Sequence, residues 1–235
     1  MAIPWAAKRQ IAVFSIFALI TLLILSGVIY FLVKKVFVAS RNPSSGSTEN
    51  LSIIWTRVFP LSSGFIDAAA LLENPNHAFG AHAFRYAFKI YDAHAVLIAI
   101  KENETMINPG ETFMVFEPNI PIQNRVAVKA IFEIRSLSWE AFPPSSLLQM
   151  DILRKDQFLD DVVPRVEVVV KNQSNARYKK IEATLVLFSS AGDAVAVSRT
   201  IMDALEGGEE KKLIFTWPQK ISGALDAKVF FRPLP

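Results

Sequence analysis

Apolar positions follow two regimes along this chain. Residues 11–33, IAVFSIFALITLLILSGVIYFLV, run for 23 residues without a charge. From residue 51 onward, apolar positions come instead in short blocks, many alternating with polar ones and separated by Pro, Gly, Asn and Ser. The first pattern predicts a helix of roughly 35 Å at ~1.5 Å per residue, enough to cross a hydrocarbon core of about 30 Å. The second predicts strands, at 53–59, 66–73, 84–91, 95–100, 112–117 and 126–134, followed by 166–172 and 180–188. Blocks of this size broken every ~8–12 residues by turn signals indicate an all-β antiparallel sandwich. No stretch after residue 40 keeps a helical period, except that 139–153 has room for one short helix.

Lys8 and Arg9 bound the apolar run on one side, Lys34 and Lys35 on the other. Phe37-Val38-Ala39-Ser40 loosely fits a signal-peptide cleavage site. The run is far longer than the roughly 7–15 residues of a signal-peptide core, however, and two lysines intervene. The expectation is an uncleaved signal anchor in the plasma membrane, its short basic tail cytoplasmic and its C-terminal part outside. Arg41 to Asn50, RNPSSGSTEN, has nothing to bury and reads as a flexible stalk.

The second half of the chain repeats the first. Asn172 follows Asn74 by 98 positions, Val195 follows Leu97 by 98, and Gly208-Glu209 follow Gly110-Glu111 by 98. A fixed period of turns implies one architectural unit used twice. The predicted organisation is a tail (1–10), a transmembrane helix (11–35), a stalk (36–50), a first domain (51–138), a linker (139–149) and a second domain (150–235). Pro143-Pro144-Ser145-Ser146 marks the break.

Charge changes the picture little. There are 25 Lys plus Arg against 22 Asp plus Glu, and removing the four basic residues beside the apolar run leaves 21 against 22. The remainder is close to neutral, which argues against a nucleic-acid surface. With no cysteine, disulfides, thiolate catalysis and the commonest zinc sites are excluded.

Candidate chemistry is sparse. His77, His82 and His94 are the only histidines, and they fall in or near loops. Asp160–Asp161 and Glu209–Glu210 are adjacent pairs, which on a strand point to opposite faces and do not share a proton. Asp151, Asp160 and Asp161, near the domain junction, form a weak candidate for Ca²⁺. No nucleophile elbow, phosphate loop or HExxH is present. The expected catalytic, cofactor and metal sets are therefore empty.

Phe88-Lys89-Ile90-Tyr91-Asp92 resembles the Phe-x-Leu-Tyr-Asp signature of the FxLyD family of bacterial immunoglobulin-like domains, with Ile90 in place of Leu. In the second copy, Leu185-Val186-Leu187-Phe188-Ser189 keeps the apolar alternation without the Tyr and Asp. Asn74-Pro75-Asn76 also resembles the water-stress domain of late-embryogenesis-abundant proteins. The resemblance implies two tandem immunoglobulin-like sandwiches after an N-terminal signal anchor, as in uncharacterised envelope proteins of candidate-phylum bacteria. Phe88 and Ile90 should face the core, Lys89 and Tyr91 the other way, and the Asp92 carboxylate should accept backbone N–H bonds at the turn.

The function expected is a non-enzymatic, membrane-anchored spacer or protein-docking module, whose partners are the lipid bilayer and another envelope protein. One alternative is a subunit of a pilus or secretion machine held through its span, where Ser26–Gly27 permits close helix approach. The other is a ligand-binding protein using a cleft around Trp139 and Asp151–Asp161.

Overall fold

The computed structural model describes residues 48–61, 64–123, 125–142 and 148–234. The predicted tail, transmembrane helix and most of the stalk, together with Pro143 to Ser146, lie outside the described residues. Among the described residues no helix is long and apolar enough to cross a membrane. Thirteen strands carry the fold of the described residues. They are β1 (Ser52–Pro60), β2 (Phe65–Glu73), β3 (Phe79–Asp92), β4 (Leu97–Ile107), β5 (Thr112–Pro121), β6 (Ala127–Leu137), β7 (Glu140–Ala141), β8 (Met150–Phe158), β9 (Arg165–Asn172), β10 (Tyr178–Ser189), β11 (Ala194–Leu205), β12 (Glu210–Thr216) and β13 (Ala224–Pro233).

The sheets are antiparallel, and the two halves of the chain use the same pairing order. β1-β2-β5 and β4-β3-β6 in the first half correspond to β8-β9-β12 and β11-β10-β13 in the second. Each pair of sheets closes on its own core. Phe84, Phe88, Ile90, Phe113 and Phe132 fill the first, while Val166, Val168, Leu185, Leu187 and Phe215 fill the second. Phe88 and Ile90 are fully buried, and Lys89 and Tyr91 are half-buried. Alternation along an extended strand produces that division.

The 98-residue period corresponds to a repeated set of hydrogen bonds. Asn74 and Asn172 stand just after β2 and at the end of β9, both buried. The Asn74 side chain donates to the carbonyls of Phe79 and Asn108 at 2.8 Å each and accepts from the N–H of Asn76 at 2.9 Å. Asn172 donates to the carbonyls of Ala176 (2.7 Å) and Leu205 (3.3 Å) and accepts from the N–H of Ser174 (2.9 Å). Gly110 and Gly208 hold the matching turns with φ of 63° and 75°, a region glycine enters without steric cost. Glu111 and Glu209 each accept the backbone N–H three residues back, from Asn108 (3.0 Å) and Glu206 (2.7 Å).

The turn after the Phe-x-Ile-Tyr-Asp motif is duplicated by different chemistry. Asp92 Oδ1 accepts the N–H groups of His94 and Val96, each at 2.9 Å. Ser189 Oγ accepts those of Ala191 and Asp193, each at 3.3 Å. The hydroxyl thus takes the two bonds, at i+2 and i+4, that the carboxylate takes in the first copy.

A third apolar cluster joins the halves. Ala69, Leu71, Met114 and Phe116 on β2 and β5 pack against Val186, Val197 and Phe230 on β10, β11 and β13. The result is a stack of four sheets in the order β4-β3-β6, β1-β2-β5, β11-β10-β13, β12-β9-β8. Residues from Thr48 to Pro235 form one compact unit.

At one edge of this seam Arg232, buried on β13, lies with Nε 3.7 Å from Glu111 Oε1 and its Nη2 donating to the Met106 carbonyl. Its guanidinium also covers the Phe113 ring at 4.7 Å.

Two expectations change. No described residue between 139 and 153 is helical: Glu140–Ala141 pairs with Phe79–Gly80 of β3, and β8 begins at Met150. Strand pairing there satisfies the backbone groups that a helix would otherwise satisfy internally. β4 starts at Leu97 rather than 95, because 93–96 form the turn held by Asp92. It then continues to Ile107 through the polar run Lys101-Glu102-Asn103-Glu104. That run lies on an edge strand, where Glu102 and Glu104 meet Arg135 and Arg85 at 3.0 Å each and Lys101 reaches Glu117.

Three stability measurements test this packing. Phe88→Ala should cost about 3–5 kcal/mol in chemical denaturation, since it empties a fully buried aromatic site. Arg232→Ala should cost a similar ~3–5 kcal/mol by leaving Glu111 buried without its cation. Arg85→Ala, which removes an exposed pair, should change stability by less than about 1 kcal/mol.

Candidate functional site

The seam between the halves opens into a groove at one end. β2 delivers Phe59's cross-strand neighbour, Asp67, to this place. Along β2, Ile66, Ala68, Ala70 and Leu72 turn into the first core, so Asp67, Ala69 and Leu71 turn toward the second half. Between the pairs Ile66–Ile120 and Ala68–Glu117 the register shifts, so that Asp67 stands opposite both Pro118 and Asn119. This is a β-bulge, a device that re-aims side chains. Asn119 takes φ 56°, which asparagine tolerates better than most residues, and its N–H donates to Asp67 Oδ1 at 2.9 Å.

Two adjoining cavities share Asp67, Leu61, Val197 and Trp217 in their walls. One, of about 260 Å³, adds Phe59, Val195 and Lys220, and the other, of about 360 Å³, adds Phe116, Pro118 and Arg199. Trp217 is buried and fixed, its indole N–H donating to the Val197 carbonyl at 3.0 Å. Gln219 spans the halves by donating to the Pro60 carbonyl at 2.7 Å.

Among the described residues Asp67 is the only acid lining either cavity, and it is 8 % exposed. Burial pushes its carboxyl above the usual carboxylate range, opposed by the Asn119 N–H. Arg199 is already engaged. It lies 3.3 Å from Glu182 Oε2, donates to the Phe116 carbonyl at 3.4 Å and covers the Phe116 ring at 5.7 Å.

A second polar cluster lies inside the first half. Glu117 Oε1 accepts from the Tyr86 hydroxyl at 2.6 Å and from Asn103 Nδ2 at 2.9 Å, with Lys101 Nζ 3.8 Å from Oε2. Burial and the bond to Glu117 push the Tyr86 phenol upward. The cluster closes the open edge between β4 and β5 and is internally satisfied.

The residues singled out by sequence are dispersed. His77 packs beside Gly110, where an added Cβ would stand 2.6 Å from its Nδ1. The His82 ring lies tilted against Phe142 at 4.7 Å and 3.7 Å from Glu140, and His94 sits in the Asp92 turn. Asp151 accepts from Gln173 Nε2 at 2.7 Å, and Asp161 pairs with Arg165 at 2.5 Å. Glu210 meets Lys171 at 3.2 Å, while Glu209 holds its turn. Among the described residues no group of three or more His, Asp or Glu is placed to hold a metal ion. Trp139 packs against the first core, and the strand bearing Asp151 pairs with β9 on the outermost sheet of the second half.

Asp67 is not among the residues that sequence singles out; the pattern over 66–73 predicts a strand and no site. The available signal was one acid inside the run Phe-Ile-Asp-Ala-Ala-Ala-Leu-Leu, at the same parity as Ala69 and Leu71. No protein-family model matches this chain, and no curated protein matches it.

The raised carboxyl gives a pH prediction. Between the unfolded value of ~3.9 and the higher folded value the native state binds more protons, so stability falls as pH rises through that window. Asp67→Asn, which keeps an acceptor for Asn119, should therefore stabilise the protein at neutral pH. The gain should vanish below about pH 3.9 in a series of melting curves. A gain independent of pH would sink the assignment.

Proposed function

We propose that this chain is a non-enzymatic envelope protein, held by an N-terminal signal anchor, whose two immunoglobulin-like sandwiches of the FxLyD type serve as a spacer and protein-docking module. The observation that carries the reading is the seam. Because β2 and β10 are buried on both faces, the two sandwiches form one stiff block with a fixed groove, suited to presenting a surface at a set position. The apolar run at residues 11–33 and the Pro/Ser-rich stretch after it support an anchored, tethered placement. Glu49, at the start of the block, is gripped by Asn76, whose side chain accepts from its N–H at 2.8 Å and donates to its carbonyl at 2.9 Å. A tether attached there would deliver load into the β2–β3 turn rather than into a free end.

Crosslinking and affinity capture from solubilised membranes test the reading. The expected result is a stable complex with another envelope protein that persists when the apolar run is replaced by polyleucine, and epitopes beyond residue 50 that are shaved by protease on intact cells. A complex lost on that replacement would assign the chain to a machine assembled through its span. Full protease protection without permeabilisation would reverse the orientation.

A further inference from the structure

The groove at the seam holds a buried carboxylate that the packing of the two halves does not use. Asp67 Oδ1 is taken by the Asn119 N–H, and among the described residues Asp67 has no ion-pair partner. A carboxylate removed from water without a cation is costly, and a chain gains nothing in stability by placing one there. The local backbone is nevertheless built to hold it: a bulge aims it, and Asn119 adopts a left-handed conformation to bond it. Backbone strain of this sort collects at functional positions.

The walls around Asp67 set Phe59, Leu61, Val197 and Trp217 beside polar groups of Gln219, Ser222, Ser198 and Thr216, so a guest on Asp67 has an apolar surface to lie against on one side only. The nearby cations do not neutralise the acid, since Arg199 is committed to Glu182 and Lys220 is exposed at the rim. We infer that the groove binds an organic cation, an ammonium or guanidinium head on an apolar stem, with the head on Asp67 and the stem against Trp217 and Phe59. Two sources supply that chemistry: a Lys or Arg side chain of a partner protein, or a free alkyl amine. The cavity volumes of about 260 and 360 Å³ accommodate a stem of several methylenes. The inference does not rest on the docking reading, and a site that takes only a free amine would stand while that reading fails on its own test.

The experiment titrates the full-length chain with n-butylammonium, n-butylguanidinium and a blocked pentapeptide carrying lysine between two leucines. 1-Pentanol serves as a neutral control of similar shape. The readout is the indole N–H chemical shift of Trp217, assigned through Trp217→Phe. Saturable shifts with the cations and none with pentanol are expected. Asp67→Asn should weaken binding at least tenfold while the protein stays folded by circular dichroism. Lys220→Ala, on the exposed rim, should strengthen it about two- to threefold by removing a like charge. Peptide binding at least tenfold tighter than butylammonium assigns the natural guest to a partner's side chain, and comparable or weaker peptide binding assigns it to a free amine. A pentanol response equal to that of the cations, no saturable response to any cation, or full affinity in folded Asp67→Asn overturns the proposal. Should Asp67→Asn fail to fold, unchanged or weakened binding in Lys220→Ala overturns it instead.

Discussion

The seam between β2-β5 and β10-β11-β13 is the contact on which the remaining architecture depends. Its apolar members, Ala69, Leu71, Met114 and Phe116 on one side and Val186, Val197 and Phe230 on the other, bury the second faces of two sheets whose first faces already enclose cores. Burial of apolar surface is non-directional, so by itself it would tolerate sliding of one sheet over the other. Direction comes from the polar groups at the margins. Arg232 with Glu111, Arg199 with Glu182 and the Phe116 carbonyl, and Gln219 with the Pro60 carbonyl fix the register. The groove around Asp67 exists only because that register is fixed.

Much of the fold was legible in the residues because strand periodicity and turn chemistry are local. The stops at Asn74-Pro75-Asn76 and Asn108-Pro109-Gly110 fall where β2 and β4 end. The 98-residue spacing of Asn74 and Asn172 reflects two copies of one side-chain clamp, and the exchange of Asp92 for Ser189 preserves the bonds while changing the letter. β4 was harder to read. Its run Lys101-Glu102-Asn103-Glu104 carries little strand propensity, and it is extended because Arg85, Arg135 and the Glu117 cluster supply partners across the sheet.

The stacking of the halves, and with it the candidate site, is a matter of long-range geometry. One trace of it does lie in the sequence. Ile66-Asp67-Ala68-Ala69-Ala70-Leu71-Leu72 lacks the alternation of a half-exposed strand, and a near-continuous apolar run marks burial on both faces. Nothing local, however, says which distant strand covers the second face. The junction near Trp139 and Asp151 looked like the natural place for a cleft because it is where the copies join in sequence, whereas the copies meet in space through the middle strands of their sheets.

The doubly buried β2 has a consequence for how the protein is made. The whole first half can leave the ribosome before β10 exists, and the outer face of β2 and β5 then has nothing to cover it. Translation at ~5–20 residues per second takes roughly 5–20 s from the end of β6 at Leu137 to the end of β13 at Pro233, the last of the covering strands. During that interval a nascent chain displays Leu71, Met114 and Phe116 to its surroundings, and a neighbouring nascent copy offers the same surface. Synthesis speed across residues 138–233 therefore governs whether the seam closes within one chain or between two.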